Sequence, residues 1–210
     1  MDGPREPPHF FRRATDPQQR RRSRGVSLLP SLFTLANLFC GYACVVYSMR
    51  GDYETAAPFI GVAIVLDMLD GRIARLTGTA SDFGLELDSL ADIISFGIAP
   101  AILALGWGLA PLGRLGWAVG FLFVSAAALR LARFNIQSAS GGDKRYFIGM
   151  PSPAAAAVPA ATVYAFPGAL MDYQHALLAL PIVVLPALLM VSTVRFRSFK
   201  TIDLRVRRPY

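Results

Sequence analysis

The stretch DMLDGRIARLTGTASDFGLELDSLAD, residues 67–92, places five aspartates, one glutamate and two arginines within an otherwise strongly apolar chain. Charged side chains are costly near hydrocarbon, and between apolar helices they usually mark a functional site. Asp67 and Asp70 are three residues apart, and Asp88 and Asp92 are four apart. On α-helices both spacings put the pair on one face. The stretch therefore predicts two neighbouring antiparallel helices whose acidic faces meet.

The composition predicts a membrane protein. Of the 210 residues, 54% are hydrophobic and 17% are charged, whereas about a quarter of the residues in a soluble domain are charged. Apolar windows of about 20 residues, long enough to cross a ~30 Å hydrocarbon core, recur six times. They lie near residues 30–49, 56–76, 82–106, 115–137, 152–171 and 176–194. We therefore predict an all-α fold, a polytopic membrane protein whose six transmembrane helices form one compact bundle.

The basic residues predict how this bundle sits in the membrane. Nineteen of the 21 Lys and Arg residues lie near the two ends of the chain, in the turn with Arg72 and Arg75, or in the connection at 130–145. Positive residues stay on the cytoplasmic side, so both termini and the acidic cluster are expected to face the cytoplasm. This topology explains the net charge of +7, and no nucleic-acid partner is predicted. The predicted parts are a basic, mostly disordered cytoplasmic arm (1–25), the six-helix transmembrane catalytic domain (26–194) and a basic cytoplasmic tail (195–210). The arm either rests on anionic membrane lipids or only fixes the orientation.

The acidic cluster predicts a metal site. Four carboxylates in one pocket would repel one another unless they were protonated or surrounded cations, and two divalent ions would balance their charge. Oxygen-only ligands select hard ions, so Mg²⁺ or Mn²⁺ is expected, with Ca²⁺ as another occupant. Two such ions facing the cytoplasm suit phosphoryl transfer, because they neutralise phosphate oxygens. Gly71 and Gly84 would let a ligand approach the backbone, and Arg75 could pair with a phosphate.

The same residues resemble a family signature. The pattern Asp67-x2-Asp70-Gly71-x2-Ala74-Arg75-x8-Gly84-x3-Asp88-x3-Asp92 is similar, at every fixed position, to that of the CDP-alcohol phosphatidyltransferases. The resemblance implies a six-helix membrane bundle, usually a homodimer, in which an alcohol displaces CMP from a CDP-linked lipid. It implies that Asp67, Asp70, Asp88 and Asp92 hold two divalent metals and that Asp92 is also the general base. It further implies that Gly71, Ala74, Arg75 and Gly84 shape the CDP-lipid site.

Two polar residues on the first predicted helix, Thr34 and Asn37, are expected to border the nucleotide. They are three residues apart and therefore share a helix face. A hydrogen bond that packs two membrane helices together is an equally open interpretation of both.

Other stretches resemble the branch of the family that uses serine. They are LLPSLFTLANLFCGYACV (28–45), DIISFGIAPA (92–101), RLARFN (130–135), FIGMPSPAAA (147–156) and MVSTVRFRSFK (190–200). By this resemblance the substrates are CDP-diacylglycerol, or an ether-lipid equivalent, and L-serine, and the products are phosphatidylserine and CMP. A serine carboxylate needs a cationic partner, and Arg130 and Arg133 near the inner end of the fourth helix are candidates. Ser95, about one turn from Asp92, and Asn135 are further candidates for serine binding. The alternative is that these arginines bind lipid headgroups or fix topology.

Two alternative functions stay open at this stage. The nearer one is the same chemistry with another acceptor, such as glycerol 3-phosphate or an inositol phosphate. The other is a divalent-cation transporter that uses the carboxylates as a transit site. A transporter is expected to hold its ion near the bilayer midplane between repeats, whereas these carboxylates are predicted at one rim and no repeat is visible.

Overall fold

The computed structural model describes residues 28–77, 82–139, 146–192 and 195–197. Within these ranges the chain forms seven α-helices. They are α1 (Leu28–Met49), α2 (Tyr53–Thr77), α3 (Asp82–Asp92), α4 (Ala99–Ala104), α5 (Arg114–Ala139), α6 (Ser152–Ala165) and α7 (Tyr173–Val191). A π-helical segment, Ile93–Ile98, joins α3 to α4, and α4 continues through a π-helical segment, Leu105–Leu109, and a 3₁₀ turn, Ala110–Leu112. Residues 82–112 thus make one continuous helical rod, called the third rod below.

Six helical rods were predicted, and the described residues contain six. Four of them are long and apolar enough to cross a membrane: Leu32–Met49, Phe83–Leu112, Arg114–Gln137 and Tyr173–Val191. The protein is therefore an integral membrane protein with an α-helical bundle, but six complete spans are not confirmed. Helix α2 has 25 residues and carries the first half of the acidic cluster. Helix α6 has only 14 residues, about 21 Å at 1.5 Å per residue, which is shorter than the hydrocarbon core.

The predicted helix ends were wrong in two places. The fifth predicted helix, 152–171, ends at Ala165, because Phe166 leaves the helical conformation (φ −135°, ψ 74°) and Pro167 follows it. The third predicted helix, 82–106, continues to Leu112, and Gly113 then turns the chain with a φ of 57°. The sequence also predicts a helix stop at Gly78 and a capping box at residues 79–82, but residues 78–81 and the Asp82 side chain lie outside the described residues.

The all-α prediction missed one short element. Two three-residue strands, β1 (Tyr146–Ile148) and β2 (Arg195–Arg197), pair antiparallel, with Phe147 opposite Phe196. The pairing ties the connection before α6 to the segment after α7. Next to it, Gly149 has a φ of 81°, and a Cβ there would lie 2.5 Å from the Met190 carbonyl oxygen. The backbone amide of Met150 donates a hydrogen bond to the Leu189 carbonyl oxygen at 3.0 Å.

The packing places α1 against both α2 and the third rod. Small buried residues line much of the core, including Ala56, Ala57 and Ala63 of α2, and small residues let membrane helices approach closely. One such close approach is at Gly41 of α1, where a Cβ would lie 2.6 Å from the Ser95 hydroxyl oxygen. This hydroxyl donates a hydrogen bond to the Asn37 carbonyl oxygen at 2.9 Å. The contact holds α1 against the third rod at Ser95, about one helical turn after Asp92.

Candidate active site

Three carboxylates from α2 and α3 converge as the helix-face spacing predicted. Asp67, Asp88 and Asp92 each offer one carboxylate oxygen, and these oxygens all lie within 4.8 Å of one another. All three residues are partly buried. Three negative charges this close repel strongly, so the arrangement can hold a divalent cation.

The fourth predicted ligand, Asp70, has a different environment. It is buried, and the Thr34 hydroxyl donates a hydrogen bond to its Oδ2. Asp70 lies near enough to Asp88 for its charge to act on that carboxylate, but it is not part of the group of three. The role of Asp70 as a ligand to one of two metals therefore stays a prediction, because the group of three does not include it. The Thr34 hydroxyl links α1 to α2, as the helix-packing interpretation expects, and a contact of Thr34 with the nucleotide stays a prediction.

Beside the acidic group lies the buried polar residue Asn37, and not all buried polar atoms here are hydrogen-bonded. Asn37 is 1% exposed, and its side chain lies beside Asp92. Within the described residues, both side-chain polar atoms of Asn37 and Oδ1 of Asp92 lack a hydrogen-bond partner of good geometry. Buried polar atoms without a partner are rare and costly. A cation with its oxygen ligands, or a polar substrate group, fits this deficit and the all-oxygen donor set.

The predicted CDP-lipid residues of the signature lie on the same two helices as the carboxylates. Gly71 comes directly after Asp70 on α2, and Gly84 lies in the first turn of α3; both are partly exposed. Ala74 and Arg75 belong to the last turns of α2, but their side chains lie outside the described residues. Gly71 and Gly84 thus flank the acidic group, and the role of Arg75 stays a prediction.

The four predicted serine-binding residues make different contacts, and their role in serine binding stays a prediction. Ser95 is fully buried and its hydroxyl is used in the contact with α1, so helix packing accounts for it. Arg133 is exposed, and its Nη1 donates to the Val191 carbonyl oxygen at the end of α7 at 3.0 Å. The amide Nδ2 of Asn135 donates to the Ser89 hydroxyl at 3.0 Å and links α5 to α3. Only Arg130 lies beside the carboxylates, and it acts electrostatically on both Asp92 and Asp67.

Residues 27–194 match the CDP-alcohol phosphatidyltransferase family. The chain belongs to this family. A member of the CDP-alcohol phosphatidyltransferases is a transferase that acts with divalent cations, and the group of three carboxylates provides a place for one.

Curated CDP-alcohol phosphatidyltransferases with similar sequences include enzymes from bacteria and an archaeon. A CDP-diacylglycerol–serine O-phosphatidyltransferase of Helicobacter pylori is 41% identical over 182 residues, which are 83% of this chain and 74% of that enzyme. The enzyme of the same name from Bacillus subtilis is 33% identical over 175 residues, 83% of this chain and 93% of that enzyme. An archaetidylserine synthase from Methanothermobacter thermautotrophicus is 36% identical over 170 residues, 80% of this chain and 69% of that enzyme.

Sequence reasoning missed one residue at the site of this CDP-alcohol phosphatidyltransferase. Ser152 begins α6, is buried, and accepts a hydrogen bond at 3.0 Å from Nη1 of Arg130. Pro151 precedes it in an extended conformation, as the residue before a helix commonly has. A serine at a helix start was visible in the sequence, but nothing local indicated that its partner lies 22 residues earlier on α5.

Proposed function

We propose that this chain transfers the phosphatidyl group of CDP-diacylglycerol, or of an ether-lipid equivalent, to the hydroxyl of L-serine and releases CMP. The single observation that carries the proposal is the group of three carboxylates at 4.8 Å or less, built from the family's signature residues. The serine acceptor is supported by the names of relatives that are 33–41% identical over most of the chain.

Asp67, Asp88 and Asp92 would hold a divalent cation, and Asp70 would contribute to a second one after releasing Thr34. Mg²⁺ or Mn²⁺ suits these oxygen ligands, because such ions bind one or two carboxylates together with substrate phosphates. When bound, the cations supply charge neutralisation for the pyrophosphate of the donor. Gly71, Ala74, Gly84 and Asn37 would border the CDP group, and Arg75 would offset part of its negative charge.

The proton step falls to Asp92. One of its carboxylate oxygens lacks a hydrogen-bond partner of good geometry within the described residues, so it can accept the proton of an incoming hydroxyl. The serine hydroxyl oxygen then bonds to the phosphorus that carries the lipid. The bond from that phosphorus to the bridging oxygen breaks, and its electron pair leaves with CMP. General bases of this kind contribute roughly 10²–10⁴-fold to rates.

Two wider features complete the proposal. The active site and both termini would face the cytoplasm, because the basic residues concentrate on that side. The enzyme would be a homodimer, as the resemblance implies. The acyl chains of the CDP-lipid would extend sideways from the site into the bilayer.

An acceptor panel tests the proposal directly. Purified protein in detergent with CDP-diacylglycerol and Mn²⁺ is given L-serine, glycerol 3-phosphate or an inositol phosphate, and CMP release and lipid product are measured. Of the three acceptors, only L-serine should support CMP release, and the lipid product should be phosphatidylserine. Release with another acceptor and none with serine would refute the serine proposal but keep the chemistry. If none of the acceptors supports CMP release, and Mn²⁺ enters vesicles that contain the protein but lack CDP-lipid, the transporter alternative would be favoured.

A further inference from the structure

Arg130 is a cation beside the acidic group that the transfer chemistry above leaves without a task. It lies in the second half of α5, is partly buried, and interacts through space with Asp92 and Asp67. Burying a guanidinium costs free energy unless it is paired. A partly buried arginine that faces the proposed base therefore calls for an explanation of what it binds.

The contacts of Arg130 orient it without using up its donors. One nitrogen, Nη1, donates to the Ser152 hydroxyl at 3.0 Å, and the guanidinium lies over the Phe134 ring at 5.5 Å from its centroid. Within the described residues, no carboxylate oxygen lies within 4.0 Å of the guanidinium nitrogens. A guanidinium has five N–H donors in a planar fork that matches a carboxylate. Arg130 is thus held in place and still has donors for an anion.

Arg130 and Asp92 carry opposite charges and act on each other through space. A substrate that bridges them needs an anionic group at one end and a proton-donating hydroxyl at the other. L-Serine has both, joined through its Cα and Cβ atoms. Glycerol 3-phosphate also carries an anion, but a larger and more highly charged one, whereas an amino alcohol without a carboxylate offers nothing to Arg130.

We infer that Arg130, held by Ser152, binds the carboxylate of the acceptor amino acid while its hydroxyl meets Asp92. This inference rests on the proposed function and names the residue that would select serine. It also separates Arg130 from Arg133, because the latter is exposed and donates to the end of α7. Arg130 would therefore be the specificity-determining residue, and Ser152 a positioning residue that acts through it.

The test compares L-serine with L-serinamide, which keeps the hydroxyl and the amine but replaces the carboxylate with a neutral amide. In the unchanged enzyme, serine should be preferred by roughly tenfold or more in kcat/KM, the scale of a hydrogen bond to a charged group. Arg130→Ala should raise the KM for serine by roughly 10- to 100-fold and reduce the preference to near one. The KM for CDP-diacylglycerol should change by less than about twofold, since the donor is held elsewhere.

Matched variants sharpen the comparison. Arg114→Ala removes an exposed arginine from the other end of the same helix and should leave both KM values unchanged. Ser152→Ala should raise the KM for serine less than Arg130→Ala does, with a correspondingly smaller loss of preference over serinamide. Arg130→Lys keeps the charge but not the fork, so an intermediate KM for serine is expected. This last variant carries the test if Arg130→Ala does not fold.

Three outcomes would overturn the inference. One is an unchanged preference for serine over serinamide in Arg130→Ala or, if that variant does not fold, an unchanged KM for serine in Arg130→Lys. Another is an equal rise in the KM values for serine and CDP-diacylglycerol, which would assign Arg130 to the electrostatics of the acidic group. The third is loss of the preference in Arg133→Ala instead. Absence of any serine-dependent CMP release by the unchanged enzyme would refute the proposed function itself.

Discussion

Asp92 is proposed both to hold a cation and to accept the proton of the serine hydroxyl, and a single substitution can separate these two roles. Asp92→Asn keeps the size of the side chain but removes its ability to accept a proton. At saturating Mn²⁺ we expect CMP release with serine to fall by roughly 10²–10⁴-fold, while CDP-diacylglycerol still binds. Glu86→Gln, an exposed change on the same helix, is the control and should retain normal turnover. Near-normal turnover of Asp92→Asn would contradict the base assignment.

The residues of the site differ in how visible they were from the sequence. The convergence of Asp67, Asp88 and Asp92 followed from helix periodicity and a short turn, which are local properties. The hydrogen-bond partners of Asp70 and Arg130 could not be predicted in this way, because Thr34 and Ser152 lie 36 and 22 residues away along the chain. Such pairs depend on how helices rotate against each other, and periodicity alone does not set that rotation.

At the scale of elements, the contact between α1 and the third rod determines the site geometry. Gly41→Ala would place a Cβ 2.6 Å from the Ser95 hydroxyl oxygen and 2.8 Å from its Cα, so the two rods must separate. Overpacking of this kind costs about 1–3 kcal/mol. We therefore expect a lower thermal midpoint and reduced serine transfer, because Asn37 and Asp92 move apart.

Gly61→Ala is the control for this prediction. No heavy atom lies within 4 Å of the corresponding Cβ position on α2, and alanine favours a helix over glycine by up to about 1 kcal/mol. Its thermal midpoint should stay unchanged or rise. Equal midpoints for the two variants would show that the contact at Gly41 does not limit stability.

The elements also show where pattern reading stops. Apolar windows located all six helical rods, four of which are long and apolar enough to cross a membrane. They overestimated the fifth, because Phe166 and Pro167 are as apolar as their neighbours and a hydropathy window does not register a helix break. The β1–β2 pairing joins segments almost 50 residues apart, and no local alternation of apolar and polar residues predicted it.

For the whole molecule, the asymmetry of charge predicts orientation. Single cysteines placed at the exposed positions Glu54 and Gly168 should react with a membrane-impermeant maleimide in intact cells. A cysteine at Leu76, which is exposed near the acidic end of α2, should react only after the cells are opened. The unchanged chain is the control, because Cys40 and Cys44 are both buried. The reverse labelling pattern would place the active site outside.

The mutual repulsion of the acidic group predicts how cations affect the entire fold. At 4.8 Å, the upper limit of the separations in this group, two like charges repel by on the order of 3 kcal/mol at an effective dielectric constant of about 20. A ligand that binds only the folded state adds stability that grows with its concentration. We therefore expect Mn²⁺ or Mg²⁺ to raise the thermal midpoint of the chelator-treated protein and to restore its CMP release.

Asp88→Asn distinguishes ion binding from a general salt effect. With chelator present, this variant should be at least as stable as the unchanged protein, because one of the repelling charges is gone. With excess Mn²⁺ its midpoint should barely rise, whereas that of the unchanged protein and of Glu86→Gln should rise clearly. Equal Mn²⁺ shifts in all three proteins would mean that the carboxylates of α2 and α3 face each other without an ion between them, and the electrostatic basis of the site would then be wrong.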